Sequence, residues 1–136
     1  MRFETKIAIA IRADLPAWQK LNVTAFLASS IAGADRELIG QPYEDGAGVR
    51  SLPMFRQPVL VFAGSAEDLA KAHGRMRERN LPFALYTEEM FATGHDEANR
   101  AAVRAVKTEE LKLVGLALHA DRRDIDKVVK GMSLHP

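Results

Sequence analysis

Four short stretches of this chain are apolar almost without interruption: "KIAIAI" (residues 6–11), "PVLVFA" (58–63), "PFALY" (82–86) and "LKLVGLAL" (111–118). A strand with one face in water alternates apolar and polar side chains, and an amphipathic helix repeats every three to four residues. Runs that do neither belong to segments buried on both sides. Periodicity does not separate such a strand from a buried helical turn. The shortness of the runs and the β-branched residues of the first two decide for strands. The chain must therefore build a sheet that is covered on both faces.

The segments between the runs supply the cover. "PAWQKLNVTAFLASSIAG" (16–33) opens on a proline suited to a first helical turn and closes on a glycine. Leu21, Ala25, Ala28 and Ala32 make one apolar stripe, and Val23, Leu27 and Ile31 make a second. A helix apolar on more than one side is expected to be wedged between other elements. Ser65 is placed to cap the next helix, with Glu67 and Asp68 in its first turn. Leu69, Ala72, His73 and Met76 share its apolar face, where a histidine reads as a structural one, and "NLP" (80–82) stops it. Asp121 caps the last helix, whose stripe is Ile125, Val128, Val129 and Met132, with Gly131 in the C-terminal turn. Residues 34–57 break the rhythm, and Asp45, Gly46 and Gly48 predict a hairpin or a mobile loop over the sheet. Strands alternating with helices indicate an α/β fold, and 136 residues suffice for a single domain, 1–136.

Composition narrows the class further. The chain has no cysteine, which excludes disulfides, thiolate metal sites and a cysteine nucleophile, and suits a cytoplasmic protein. Lys plus Arg number 19 and Asp plus Glu 18, for a formal net charge of +1, so charge gives no strong support for a nucleic-acid partner and leaves room only for a local basic patch. Residues 7–11 are too few to cross a membrane, and no signal peptide is read, so the expectation is a soluble intracellular protein without a membrane partner. No cofactor or metal is expected. "GAG" (46–48) lacks the strand before and the helix after that a phosphate cradle needs, and His119 and His135 belong to no metal motif.

In open α/β sheets, ligands sit beyond the carboxyl ends of the strands. Two polar segments fit that position: "RADLPAWQK" (12–20) and "YTEEMFATGHDEANR" (86–100). If the strands before them are parallel neighbours, Lys20, Thr24, Glu88, Glu89, Thr93, His95 and Asn99 converge. A lysine beside a carboxylate can polarise a carbonyl, hold an anion, or serve with an activated water in ester cleavage. Each residue also has a local reading. Lys20 reads as a solvated helix lysine, Glu88 and Glu89 as first-turn acids, and Thr93, His95 and Asp96 as turn and cap residues, with Asp96 capping a helix through Val103. Trp18 either anchors its helix or stacks on a ligand.

The order of these segments resembles the type II peptidyl-tRNA hydrolase superfamily over almost the whole length. "RADL" (12–15) is similar to that family's Arg-x-Asp-Leu run after the opening strand, and "NVTAFLASS" to its small-residue first helix. "SAEDLAKAHGRMRERNLPFALY" resembles its helix, Leu-Pro turn and third strand, and "LVGLALHADRRDIDKVVKGMSL" its closing strand, acidic turn and last helix. The resemblance implies three layers, helix–sheet–helix, around a mixed, mostly parallel sheet of about four strands. Lys20 is the nearest match to the family's lysine, and Glu88 stands where the family has an aspartate. Phe26 and Ser29 replace its glutamine and histidine, its Gly-x-Thr-Gln run is not present, and a segment of about 91–108 is inserted. These departures weigh against cleavage of a tRNA ester, and the "YTEEMFATGHDEANR" stretch resembles an uncharacterised sister family, the domain of unknown function 2000.

Two functional expectations follow. The first is a hydrolase acting on an ester or amide, such as a small-molecule or acyl-ester substrate. In it Lys20 is the electrostatic or anion-binding group, Glu88 the base or water orienter, and Asp14, Thr24, Glu89, Thr93, His95 and Asn99 contact substrate. The second is a non-catalytic module that binds a small molecule or a protein through the same fold. A structural reading, a homodimer burying a sheet edge or helix face, stands beside them.

Overall fold

β1 (Thr5–Arg12) is the strand around which the sheet is built, and Ile7 through Ile11 are all buried. The computed structural model describes residues 2–136. After β1 come α1 (Ala17–Ala34), a small hairpin of β2 (Tyr43–Glu44) and β3 (Arg50–Ser51), β4 (Val59–Gly64) and α2 (Ala66–Glu78). β5 (Ala84–Thr87), a 3-10 turn at Glu88–Ala92, α3 (Asp96–Arg104), β6 (Leu113–Asp121), α4 (Arg122–Val128) and β7 (Ser133–Leu134) complete the chain. All four apolar runs form strands, and residues 34–57 carry the hairpin. Asp45 shapes its turn by accepting from the backbone N–H groups of Ala47 and Val49, both at 2.9 Å.

The main sheet has five strands in the order β5-β6-β1-β4-β7. It is mixed, as expected, but the expectation of mostly parallel pairing is corrected: β1–β4 is parallel, while β1–β6, β5–β6 and β4–β7 are antiparallel. The cause is the route between β5 and β6. Residues 88–112 stay at the edge where β5 ends, so β6 enters the sheet there and runs back. β1, β4 and β5 still share one direction, joined by helical crossovers, but β6 lies between β1 and β5. They are therefore not neighbours.

One face of the sheet carries α1 and the other carries α2 and α4. Ile7, Ile9, Ile11, Val23, Leu27 and Ile31 share the first core. Ala8, Leu69, Met76, Leu116, Ile125 and Val128 share the second. Only the stripe of Val23, Leu27 and Ile31 is buried on α1, and Leu21 is 72% exposed, so this helix rests on the sheet and is not wedged. Full burial of one such aliphatic side chain contributes about 1.5–3 kcal/mol. α1 can lie this low because β6 has a glycine beneath it. A Cβ at Gly115 would stand 2.7 Å from Val23 Cγ1 and 2.8 Å from Leu27 Cδ1.

The caps at Ser65 and Asp121 form as expected. Ser65 accepts from Asp68 N–H while Asp68 accepts from Ser65 N–H, and Asp121 accepts from Arg123 N–H. Gly131 ends the last turn with φ +96°, a left-handed conformation that costs glycine little. The cap of α3 differs: His95, not Asp96, takes that place, its Nδ1 accepting from Ala98 N–H at 3.2 Å. His73 is buried, edge-on to Phe83 with ring centroids 5.1 Å apart. No helix among the described residues is long and apolar enough to cross a membrane.

Two stability predictions follow from this packing. Gly115→Ala should destabilise the fold by about 1–3 kcal/mol in urea titration, because α1 must lift to admit the methyl group. Burial, assisted by the charge of Arg77, lowers the His73 pKa below its ordinary 6.5. The folded state then resists protonation that the unfolded chain accepts, so stability is full above pH 6.5 and declines as the pH falls below it toward the folded pKa. The midpoint of thermal unfolding should drop between pH 7.5 and 5.5, and drop less in His73→Phe.

A candidate binding cleft between α1, β5 and α3

The helical positions of α1 divide the sequence-predicted site in two. Trp18, Asn22, Phe26 and Ser30 recur every fourth residue and lie on the flank that faces β5. Lys20 and Thr24 lie on the other flank. There Lys20 Nζ reaches His135 Nε2 at 3.1 Å, just beyond β7, and Thr24 Oγ1 donates to its own helix at Lys20 O, 2.7 Å away. Ser29 also bonds into the helix, donating to Phe26 O at 2.6 Å.

Glu88 has a different partner. It begins the 3-10 turn after β5, and its Oε1 accepts from an Arg12 terminal nitrogen at 2.5 Å, across the end of β6. Arg12 Nε also donates to Asp14 Oδ1 at 2.6 Å, so "RADL" folds into a turn in which an arginine ties two carboxylates together. The Arg12 side chain is mostly buried, and the hydrogen bond it donates to Glu88, opposed by burial, raises its pKa further from neutrality. Arg12 is thus a permanent cation that joins the ends of β1 and β5. The expected pairing of Lys20 with Glu88 is not made among the described residues: the amine faces His135 and the acid faces Arg12. Glu89 follows in the same turn and makes no ion pair among the described residues.

A cleft of about 710 Å³ opens between the β5-facing flank of α1, the strand β5, and α3. That volume lies within the range of sites for drug-sized ligands. Its floor is aromatic. Phe26 lies 5.7 Å from Tyr86, Tyr86 lies 5.3 Å from Phe91, and Phe91 lies 6.2 Å from Trp18, centroid to centroid. Tyr86 is buried, which pushes its phenol above the usual value and keeps it neutral. Trp18 and Phe26 are 62% and 51% exposed, so both residues are left largely open to water.

The opposite wall is polar and comes from the opening of α3. Thr93, His95 and Asn99 line the cleft as a group, the three sequence candidates that the fold brings to it. Thr93 Oγ1 contacts Met90 O at 2.8 Å and also the Asn99 amide. A hydroxyl has one proton to give, so Thr93 donates either to Met90 O or to Asn99 Oδ1, and the two acceptors share it. His95 Nδ1 is occupied by the helix cap, so a neutral His95 carries its proton on Nε2. Arg100 and Arg104 complete the wall. Arg100 pairs with Asp96 one turn earlier, and Arg104 has no carboxylate partner among the described residues.

Sequence reasoning missed Arg12, Phe26, Tyr86, Phe91, Arg100 and Arg104 as site residues. The signal for the aromatic flank was the four-residue spacing of Trp18, Asn22 and Phe26. For α3 it was the pair of arginines four apart. No three histidine, aspartate or glutamate side chains among the described residues gather as a metal site.

The chain belongs to the family described as protein of unknown function (DUF2000), whose model matches residues 5–136. A solved structure of a protein of unknown function from Agrobacterium tumefaciens strain C58 is 51% identical, with a TM-score of 0.97, covering 99% of this chain and 100% of that one. No curated protein matches the chain. Both matches concern proteins of unknown function, so they carry fold and family and no activity.

The separate partners of Lys20 and Glu88 make a measurable prediction. A double-mutant cycle on Arg12→Gln and Glu88→Gln should give a coupling of about 0.5–1 kcal/mol in urea unfolding, modest because Glu88 is partly exposed. Lys20→Ala and Glu88→Gln should add to within about 0.3–0.5 kcal/mol. A coupling between Lys20 and Glu88 as large as that between Arg12 and Glu88 would contradict the arrangement.

Proposed function

We propose that this DUF2000 protein is a non-catalytic binding module whose cleft between α1, β5 and α3 holds a ligand with a flat apolar body and an anionic group. The observation that carries the reading is the aromatic floor: Trp18 and Phe26 lie open to solvent beside Tyr86 and Phe91 and face a wall with an uncompensated arginine. Exposed rings grouped in one concave site gain most by covering one another with a planar partner, since each aromatic pair adds about 0.5–1.5 kcal/mol beyond area burial. Arg104 supplies charge of the sign that an anionic substituent matches. A cytoplasmic setting belongs to the same proposal and is supported by the cysteine-free composition.

The second reading is a hydrolase on an ester or amide, with kinship to the type II peptidyl-tRNA hydrolases. What favours it is the meeting of Thr93, His95 and Asn99 in one cleft, where a hydroxyl, an imidazole and an amide stand close enough to orient a water. Lys20 and Glu88 keep their proposed catalytic roles only in this reading, and each has to exchange its present partner to reach a common substrate atom.

Trp18 is the sole tryptophan of the chain, so its emission reports on the cleft directly. A panel of aromatic carboxylates and phosphates should contain members that quench Trp18 saturably and raise the unfolding midpoint, by about 2.7 kcal/mol of stability at a hundredfold excess over Kd. Phe26→Ala and Arg104→Gln should each weaken binding about tenfold, or about 1.4 kcal/mol. If no member of the panel moves either signal, the binding reading fails. Release of product from aromatic esters or amides, lost in His95→Ala, Lys20→Ala or Glu88→Gln, would replace it with the hydrolytic one.

A further inference from the structure

β5 is an edge strand, and its register shows which of its peptide groups are unused. The N–H of Ala13 donates to Gly64 O, so odd-numbered residues of β1 turn their peptide groups toward β4 and even-numbered ones toward β6. The bond from Arg122 N–H to Glu4 O agrees. Ala10 stands opposite Leu116, so Leu116 is bonded to β1. Its neighbours Gly115 and Ala117 turn toward β5, where they meet Tyr86 and Ala84. Leu85, between those two, directs both its N–H and its C=O out of the sheet. Neither group is paired among the described residues. The next outward N–H, that of Thr87, is already taken by Met90 Sδ at 3.3 Å.

The unpaired groups open into the cleft. The Leu85 side chain packs in the core on the α2 and α4 side, yet Leu85 lines the cleft on the α1 side, so what it presents there is main chain. An N–H and a C=O on one extended residue match the C=O and N–H of another extended residue. We infer that the cleft takes an acidic peptide in extended form, added to the sheet beside β5 through Leu85. This rests on the binding reading above and names its ligand.

Geometry and charge both specify the peptide. The residue that pairs with Leu85 points its side chain toward the α2 and α4 side. The residues before and after it stand beside Ala84 and Tyr86 and point into the aromatic floor, so apolar or aromatic side chains are expected at alternate positions. Arg104 without a carboxylate partner, and Arg100 with only the exposed Asp96 of its own helix, call for acidic residues at the flank. A basic peptide would place like charges together.

The test uses the full chain and blocked hexapeptides of the pattern Glu-Phe-Thr-Phe-Glu-Gly, read by Trp18 emission beside the aromatic carboxylates. The parent peptide should quench saturably. Methylating one central amide nitrogen should weaken binding at least tenfold, while methylating the adjacent amides, which point away from β5, should not. Replacing both glutamates by lysines should also cost at least tenfold. Equal affinity of all the methylated peptides, or of the lysine version, overturns strand addition by an acidic peptide. If the aromatic carboxylates bind and no peptide does, this inference falls and the binding reading stands; if neither binds, both fall. A dimer in sedimentation that excludes the peptide assigns the edge to a second copy of the chain, and that too overturns the proposal.

Discussion

The seat of α1 on the sheet is set at one residue without a side chain. Gly115 lets Val23 and Leu27 descend onto β6 to a depth at which any Cβ would collide with them. With that stripe pinned, the helix has no freedom of rotation, because turning it would pull Ile31 out of the core. Its flanks are then determined. One carries Trp18, Asn22 and Phe26 toward β5, and the other carries Lys20 toward β7 and His135. The division of the polar and aromatic residues into two sites follows from this single close approach.

The antiparallel course of β6 does the rest. By entering the sheet at the edge where β5 ends, it separates β1 from β5 and leaves β5 outermost. The ends of β1 and β5 are held together over the intervening strand by Arg12, whose guanidinium spans from Asp14 to Glu88. The connection from β5 to β6 must stay at this end of the molecule, and it folds into the turn and helix that become the far wall of the cleft. Site and topology are therefore one arrangement: the strand left at the edge is also the strand with main-chain groups to offer.

Much of this was legible in the sequence. Uninterrupted apolar runs marked every long strand, since a segment covered on both faces has no reason to alternate. The caps at Ser65 and Asp121 were legible because capping needs a particular side chain at a particular offset. Strand direction was not, because the hydrophobic pattern of β6 reads the same whichever way it runs. The partners of Lys20 and Glu88 were hidden for a related reason: helical spacing tells which residues share a flank, and the flank is chosen only when the helix docks. The stripe of Leu21 and Ala25 looked buried, and it obscured the aromatic line beside it. The sequence marks His95 as a turn or cap residue but points to Asp96 as the cap of α3, because histidine caps through a ring nitrogen and not through the usual short oxygen.

α3 buries none of its residues and leans chiefly on the turn at Glu88–Ala92. The wall that carries Asn99, Arg100 and Arg104 is thus almost detached from the two cores. Substitutions there can drift between relatives without endangering the fold, whereas the floor supplied by α1 and β5 is anchored. Divergence within the family should accumulate on this helix, so that one conserved scaffold can change what it recognises by rewriting nine residues.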